Sequence, residues 1–192
     1  MRVPLRVGAS FGEYLKIERT CCEVKHEFVQ GSIFAVGRGS VEHSALAAAV
    51  VGLLFEQLRG GPYRLHGGEL ALSIREADVA TRADVVVVCQ PIRRDPASLS
   101  HVTNPRVVVE VLDPSTERYD RGPKRRFYQE LESLCEYVLV AQDRRRVELW
   151  RREGEGWVHS VCGAEGTVYL TSIGCQLDVD VLYDAAGVFP SA

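Results

Sequence analysis

Two stretches, Asp84-Val-Val-Val-Val88 and Val107-Val-Val-Glu110-Val-Leu112, decide the fold of this chain. Neither stretch alternates apolar with polar residues, which is the pattern of strands that are covered on both faces. Each stretch also places one carboxylate, Asp84 or Glu110, at an end of its valine run. Burying an unpaired carboxylate costs on the order of several kcal/mol, so each acid needs a cation or a hydrogen-bond donor. The sequence therefore predicts a buried sheet with two carboxylates at the ends of its central strands.

Helices and hairpins are predicted on either side of these strands. Apolar residues recur at helical spacing over 41–59, with Ser40 as a plausible N-cap and Gly60-Gly61-Pro62 at the end. Pro123 suits the first position of a second helix, running to Ser133. The other predicted elements are a weak helix at 11–18, a hairpin at 25–36 turning at Gln30-Gly31, strands at 63–74 and 136–141, a hairpin at 146–161, and irregular segments at 75–82, 90–105 and 113–123.

These elements predict an α/β domain in which a central mixed sheet contains the strands at 83–89 and 106–112. The helices at 41–59 and 123–133 should flank that sheet, because its central strands need cover on both faces. The hairpin at 146–161 is predicted to form an edge of the sheet that is exposed to solvent on one face. Val147 and Leu149 are directed inward, and Arg146, Glu148 and Trp150 are directed outward.

Length and composition predict a single domain with a substantial core, since the chain has 192 residues and 46% hydrophobic content. We expect an irregular segment at 1–10, the domain at 11–184 and a tail at 185–192. The six cysteines form no CxxC pair, which argues against a structural zinc site. The N-terminus lacks a signal-peptide pattern, and no window approaches the ~20 apolar residues of a spanning helix. We therefore expect a cytoplasmic protein with no membrane association.

The charge is distributed unevenly along the chain. The net charge of -3 and the pI near 6.0 argue against a protein that is held to nucleic acid mainly by its overall field. Residues 118–152 nevertheless carry ten Lys and Arg against six acids, so this segment is +4 while the rest of the chain is -7. Two interpretations of this segment are open: solvated loops and helix faces, or a surface that binds along the phosphates of a nucleic acid.

Asp84, Glu110 and Lys124 together are the parts of a divalent-metal phosphodiesterase site. Mg²⁺ or Mn²⁺ prefers hard oxygen ligands and keeps several waters, so two carboxylates plus a substrate phosphate suffice to hold it. Asp84 and Glu110 are the predicted metal ligands, and a metal-bound water would be the nucleophile. Lys124 would stabilise the charge that develops on the phosphoryl oxygens or orient that water.

Each of these residues also has a purely structural interpretation. Asp84 could cap a turn at the end of its strand, and Glu110 could form a buried salt bridge with Lys124. Lys124 could instead be an ordinary solvated helix residue. The sequence leaves these alternatives open.

Motifs along most of the chain carry a family resemblance. They are His26-Glu27-Phe-Val-Gln-Gly31, Ser40-Val-Glu-His43, Arg82-Ala-Asp84-Val-Val-Val-Val88, Val109-Glu110-Val-Leu-Asp-Pro-Ser-Thr116, Tyr119-Asp120-Arg-Gly-Pro-Lys124 with Tyr128, and Glu136-Tyr137-Val138. The order of a hairpin Glu, a helix, a strand Asp, a strand Glu and a helix Lys resembles the PD-(D/E)XK nuclease superfamily. Within that superfamily the chain resembles the Uma-type family of restriction endonucleases over residues 11–184.

The resemblance implies a restriction-endonuclease-like fold and a Mg²⁺- or Mn²⁺-dependent endonuclease acting on DNA. It implies that Glu27 joins Asp84, Glu110 and Lys124 as a catalytic residue, holding a ligand water or a second ion. His43 and Tyr128 are accessory candidates, although His43 could be a satisfied structural histidine and Tyr128 a packing residue.

This sequence departs from the family pattern at a few positions. Ala83 replaces a Pro, Asp113 replaces a Ser, and Gln30-Gly31-Ser32 replaces Asp-Gly-Glu. The second residue after Glu110 is Leu112, where the superfamily has its lysine. That role therefore falls to Lys124, on a different backbone element.

Two further functions stay open: a nuclease-like domain that binds nucleic acid or a protein partner without cleaving it, and a small protein whose carboxylates only form an ion-pair network.

A homodimer is also expected, because a two-fold dimer supplies two copies of one site for the two strands of a duplex. The hairpin at 146–161, with Trp150 and Trp157, could supply part of that interface.

Overall fold

The computed structural model describes residues 3–21, 23–37 and 39–188. Its helices are α1 (Phe11–Thr20), α2 (Val41–Leu58), α3 (Glu117–Tyr119), α4 (Arg125–Gln129) and α5 (Val179–Ala186), and a π-helix at Asp120–Lys124 joins α3 to α4. Its strands are β1 (Arg6–Val7), β2 (His26–Val29), β3 (Ser32–Ala35), β4 (Tyr63–Gly67), β5 (Ala71–Ile74), β6 (Val79–Arg82), β7 (Val85–Cys89), β8 (Arg94–Asp95), β9 (Ser98–Val102), β10 (Pro105–Val111), β11 (Glu136–Val140), β12 (Arg146–Glu153), β13 (Gly156–Gly163), β14 (Thr167–Leu170) and β15 (Cys175–Asp178).

The strands form two large sheets and one small one. The six-stranded sheet has the order β13-β12-β11-β10-β7-β4, and the seven-stranded sheet has the order β1-β3-β2-β6-β5-β9-β8. Strands β14 and β15 form the small sheet. In the six-stranded sheet β10 is parallel to β11 and antiparallel to β7, so this sheet is mixed. The predicted central mixed sheet that contains both valine strands is confirmed.

The valine runs are fully buried because each face of β7 and β10 has its own cover. Val85, Val87, Val107 and Val109 pack on one face with α2 residues such as Leu54. On the other face, valines of the same two strands pack with the segment that follows α4 and with the second sheet. The predicted cover on both faces is confirmed, and it explains why neither run alternates with polar residues.

The predicted helix at 41–59 is confirmed as α2, with Ser40 as its N-cap and a 3.0 Å bond from the His43 N–H to Ser40 Oγ. This helix is long and apolar enough to cross a membrane by length and composition, with a mean hydropathy of 1.3. Its buried residues pack against the six-stranded sheet. The core helix of a globular protein meets the same criterion, so length and hydropathy alone do not make α2 a membrane span.

The second sheet was largely missed by the sequence patterns. The predicted strand at 63–74 is two strands, β4 and β5, which belong to different sheets. The segments predicted to be irregular at 75–82 and 90–105 contain β6, β8 and β9. These strands have two to five residues each, too few to show a clear period, and their hydrogen-bond partners lie far along the chain.

The segment from 113 to 133 also differs from the prediction. Residues 113–123 were expected to be irregular, but they contain α3 and most of the π-helix, and α4 ends at Gln129 rather than Ser133. Pro123 lies inside the π-helix instead of opening a helix. A π-helix inserts an extra residue per turn and often marks a functional site. Here both of its buried residues, Asp120 and Lys124, point into the protein.

The predicted hairpins are confirmed at both positions. Strands β2 and β3 turn at Gln30-Gly31, and β12 and β13 extend over Arg146–Glu153 and Gly156–Gly163. One detail of the second hairpin is wrong, because Glu148 is buried rather than directed to water. Its carboxylate binds the guanidinium groups of Arg121 and Arg146, which compensates for the burial.

The ends of the chain contain some regular structure. Within the segment 1–10, β1 pairs with β3, and α5 crosses the expected start of the tail at 185. Residues 1–2 and 189–192 lie outside the described residues. The division into one domain at 11–184 with two terminal segments stays a prediction.

Candidate active site

A cleft of about 850 Å³ lies where β7 and β10 meet the π-helix. Among the described residues, six carboxylates line it, including Asp84, Glu110 and Asp120. Three cations accompany them: Lys25, Arg82 and Lys124. The cleft therefore has an excess of negative charge, which a positively charged ligand would reduce.

Glu110 and Lys124 form a close ion pair in the cleft. Glu110 points into the charged side because it alternates with Val109, whose side chain faces α2. Lys124 Nζ lies 2.8 Å from Glu110 Oε1, and both side chains are almost completely buried. The interpretation of Lys124 as a solvated helix residue is wrong. The buried salt bridge between Glu110 and Lys124 is present.

Lys124 also faces two further carboxylates. Asp120 Oδ1 lies 3.6 Å from Nζ and Glu27 Oε1 lies 3.8 Å from it. Burial acts to lower the pKa of Lys124, but the surrounding carboxylates outweigh it and raise that pKa well above its usual value. The ammonium group is therefore charged at neutral pH.

Asp120 is a site residue that the sequence reasoning did not select. It was assigned to an irregular loop, yet it is buried and lines the cleft beside Lys124. Its spacing of four residues before Lys124 is a signal for an ion pair on one helix. Burial raises the pKa of Asp120, and the Lys124 ammonium opposes that shift.

Asp84 is held by the strand that carries Glu110. The backbone N–H of Val111 donates to Asp84 Oδ2 at 2.7 Å, which places the Asp84 carboxylate beside Glu110. His43 Nε2 lies 3.2 Å from the same oxygen. The hydrogen bond with Asp84 raises the pKa of His43. The structure thus brings His43 to the site through Asp84.

Glu27 reaches the site from the second sheet. Strand β6 pairs with β2, and this pairing lets Thr81 Oγ1 and the Arg82 N–H donate to Glu27 Oε1, the second bond at 3.2 Å. The sequence patterns could not place Thr81, because its segment was predicted to be a loop. Glu27 is therefore part of the charged cluster around Lys124.

Tyr128 supports the cluster from α4. Its hydroxyl donates to Glu110 Oε1 at 3.0 Å, and its ring packs 5.4 Å from the ring of Tyr137. The hydroxyl of Tyr137 donates to the backbone carbonyl of Asp120 at 3.0 Å. Tyr128 is consequently both a packing residue and a direct partner of the central carboxylate.

The surroundings of Glu110 disfavour the ionised form of its carboxyl group. Burial is the largest cause that raises its pKa well above the usual value, and Asp84 and Asp120 act in the same direction. Lys124 opposes the shift. Burial thus contributes more to the raised pKa of Glu110 than crowding by the neighbouring carboxylates does.

The oxygen atoms of Asp84 and Glu110 suit a hard cation. The Tyr128 hydroxyl and the Lys124 ammonium contact Glu110 at Oε1, and the Val111 N–H and His43 contact Asp84 at Oδ2. No group of three or more His, Cys, Asp and Glu in that part of the chain is arranged to hold a metal ion. Two carboxylates are enough for Mg²⁺, which retains waters and binds substrate oxygens.

Sequence comparison relates this chain to proteins of cyanobacteria. It is 38% identical over 172 residues to "Uncharacterized protein slr1290" of Synechocystis sp. (strain ATCC 27184 / PCC 6803 / Kazusa), covering 89% of each chain. It is 32% identical over 143 residues to "Uncharacterized protein sll1609" of the same organism, covering 74% of this chain and 80% of that protein.

Structural comparison supports the fold. The chain resembles a crystal structure titled as "a putative nuclease belonging to DUF820" from Anabaena variabilis ATCC 29413, with a TM-score of 0.75. The match covers 92% of this chain and 98% of the other at 18% identity. A likeness at this identity confirms the nuclease-like α/β fold.

The sequence profile of the Uma2 family, described as "Putative restriction endonuclease", matches residues 11–180. This range includes every predicted site residue from Glu27 to Tyr128. The match confirms the resemblance that the motifs suggested, and the chain belongs to the Uma2 family.

Proposed function

We propose that this protein is a Mg²⁺- or Mn²⁺-dependent endonuclease that hydrolyses phosphodiester bonds in DNA. The observation that carries the proposal is the Glu110–Lys124 contact of 2.8 Å beside the Asp84 carboxylate, at the wall of an open cleft. Two acids and an ammonium in this arrangement are the parts of a metal-assisted phosphodiesterase. The family match and the fold are consistent with that activity.

The charge of the cleft supports metal dependence. Six carboxylates against three cations would repel a phosphodiester backbone. A divalent cation on Asp84 and Glu110 would remove most of this repulsion and would offset the cost of burying Glu110. When bound, the ion would also supply a water of lowered pKa and neutralise charge on the phosphoryl oxygens.

The residues of the chain then have distinct tasks. Lys124 stabilises the charge that develops on the phosphoryl group, because its ammonium is held at the site by three carboxylates. Tyr128 fixes Glu110 by a hydrogen bond to Oε1, which keeps Oε2 directed away from Tyr128. His43 fixes Asp84 in the same way through Oδ2.

A titration of the protein with Mn²⁺, followed by calorimetry, tests the metal site. Wild type should bind the ion, and Asp84→Ala should bind it much more weakly. Cleavage of single-stranded, duplex and branched DNA should then depend on added Mg²⁺ or Mn²⁺. Metal binding without cleavage of any of these DNAs would favour a domain that binds without cutting. Absence of metal binding would reduce the cluster to a structural ion-pair network.

A further inference from the structure

The edge strands of the two large sheets differ in how well they are protected against pairing with another strand. The edges of the seven-stranded sheet, β1 and β8, are two residues long, and a register shift interrupts the pairing of β8. One edge of the six-stranded sheet, β4, has five residues and carries Arg64. Short length, irregular pairing and charge all discourage association at an edge.

Strand β13, the other edge of the six-stranded sheet, has none of these protections. It is eight residues long, Gly156 to Gly163, and contains no Asp, Glu, Lys, Arg or Pro. It pairs with β12 at every position without a bulge, so its open side is regular. Among the described residues it has no second strand neighbour. Alternate residues of β13 therefore direct backbone N–H and C=O groups away from the sheet.

Two valines of β13 are exposed at this edge. Val158 is 47% exposed and Val161 is 48% exposed, and the two lie on opposite faces of the sheet. His159 and Ser160 between them are exposed as well. An edge with exposed valines on both faces and no Asp, Glu, Lys or Arg is suited to a neighbouring strand of the same kind.

We propose that β13 pairs with β13 of a second copy of this chain, in antiparallel orientation about a two-fold axis. A two-fold axis makes the two strands antiparallel, and β13 has no Asp, Glu, Lys or Arg that would repel its copy. Its His159 is held by Glu148 of the same chain. An axis through His159 sets Trp157 of each copy opposite Val161 of the other. Pairs of aromatic and β-branched residues stabilise antiparallel sheets. The two six-stranded sheets then form one continuous sheet.

The molar mass in solution tests this interface without reference to any activity. Light scattering at micromolar concentrations should give a mass near twice the 21.3 kDa of one chain. Val158→Lys should weaken the dimer roughly tenfold or more, because it places two ammonium groups near each other at the junction. Val181→Lys is the matched control, since Val181 is 50% exposed on α5 and should leave the dimer unchanged.

Two results would overturn the proposal: a monomeric wild type over the whole concentration range, or a Val158→Lys dimer as tight as that of wild type. Amide hydrogen exchange on wild type provides a test that needs no variant. Dilution should increase exchange in residues 156–163 while the amides of β7 and β10 stay protected. Exchange in 156–163 that is independent of concentration would also overturn the proposal.

Discussion

Asp95 and Glu110 are both carboxylates with almost no exposed surface, yet their surroundings are opposite in kind. Asp95 accepts hydrogen bonds from Ser73 at 2.6 Å, from Arg75 at 2.6 and 2.8 Å and from the Ala97 N–H at 2.7 Å. The Arg75 guanidinium, together with Ser73 and Ala97, holds the pKa of Asp95 well below its usual range, although burial acts the other way. The fold therefore stabilises Asp95 as an anion.

Glu110 has one cation and one hydroxyl as partners, and two carboxylates, Asp84 and Asp120, act against its ionisation. Burial and these carboxylates raise its pKa, so the fold opposes the anion. The comparison shows that burial of an acid does not by itself mark a functional site. An acid whose donors satisfy it is structural, while an acid left with excess negative charge is a site where a bound cation gains free energy.

The substitution Glu110→Gln should have the largest effect, which is a loss of cleavage activity. This change keeps the size of the side chain but removes a ligand charge, so both metal affinity and cleavage should be lost. A reduction of at least ~10³-fold in rate is expected, because metal-assisted stabilisation contributes several kcal/mol. Asp95→Asn is the matched control, and its rate per folded molecule should equal that of wild type. Normal Mn²⁺ affinity in Glu110→Gln would contradict the assignment.

Lys124→Ala should separate metal binding from chemistry. Loss of one group that stabilises charge in the transition state typically lowers the rate ~10²–10³-fold. Metal affinity should stay intact or rise slightly, because a competing cation is removed. Cleavage assays and calorimetry on the same preparation measure the two properties. If Lys124→Ala cleaves as fast as wild type and still requires Mg²⁺ or Mn²⁺, Lys124 has no role in the transition state.

The effects of the two substitutions on stability should be ranked opposite to their effects on the cleavage rate. Asp95→Asn should lower the free energy of unfolding by ~1–3 kcal/mol, since Arg75 and the other donors lose a charged acceptor. Glu110→Gln should lower that free energy by less than Asp95→Asn does, because burial and the nearby carboxylates oppose ionisation of Glu110, and Lys124 keeps Glu27 and Asp120 as partners. Urea denaturation at neutral pH measures both. A larger loss in Glu110→Gln than in Asp95→Asn would reverse the interpretation of the two sites.

The pH dependence of stability should have opposite signs at the two acids. The pKa of Asp95 is lowered in the folded state, so its contribution is present above its ordinary value of 3.8 and is lost as the pH falls further. The pKa of Glu110 is raised, so its contribution is present below 4.5 and is lost as the pH rises. The difference in unfolding free energy between wild type and each variant, measured against pH, should follow these two trends.

The smallest effect is expected for His43→Ala. His43 contacts Asp84 at 3.2 Å and acts through it, so its removal should lower the cleavage rate ~10-fold. Metal affinity should fall by a similar factor, which calorimetry can detect. Restoration of both properties by Asn or Gln at position 43 would support a positioning role. A rate loss as large as that of Lys124→Ala would instead indicate direct contact with the substrate.

Much of the fold and part of the site could be predicted from the sequence. Continuous valines in two strands require cover on both faces, so the central sheet and the packing of α2 follow from hydrophobicity alone. Local signals located the N-cap at Ser40 and the hairpin turn at Gln30-Gly31. Asp84 and Glu110 were also identified this way, because a carboxylate beside such a strand stands out in the sequence.

Tertiary structure decided the rest, because short elements depend on distant partners. The strands β6, β8 and β9 exist through pairing within the second sheet, and that pairing places Thr81 beside Glu27. The π-helix turns both Asp120 and Lys124 inward, although turn-forming residues dominate its sequence. The sequence by itself marked Asp84 and Glu110 as acids beside buried strands, because their valine runs are continuous. The tertiary structure buried Asp95, Asp120 and Glu148, and it decided which acids would find donors and which would crowd around one lysine.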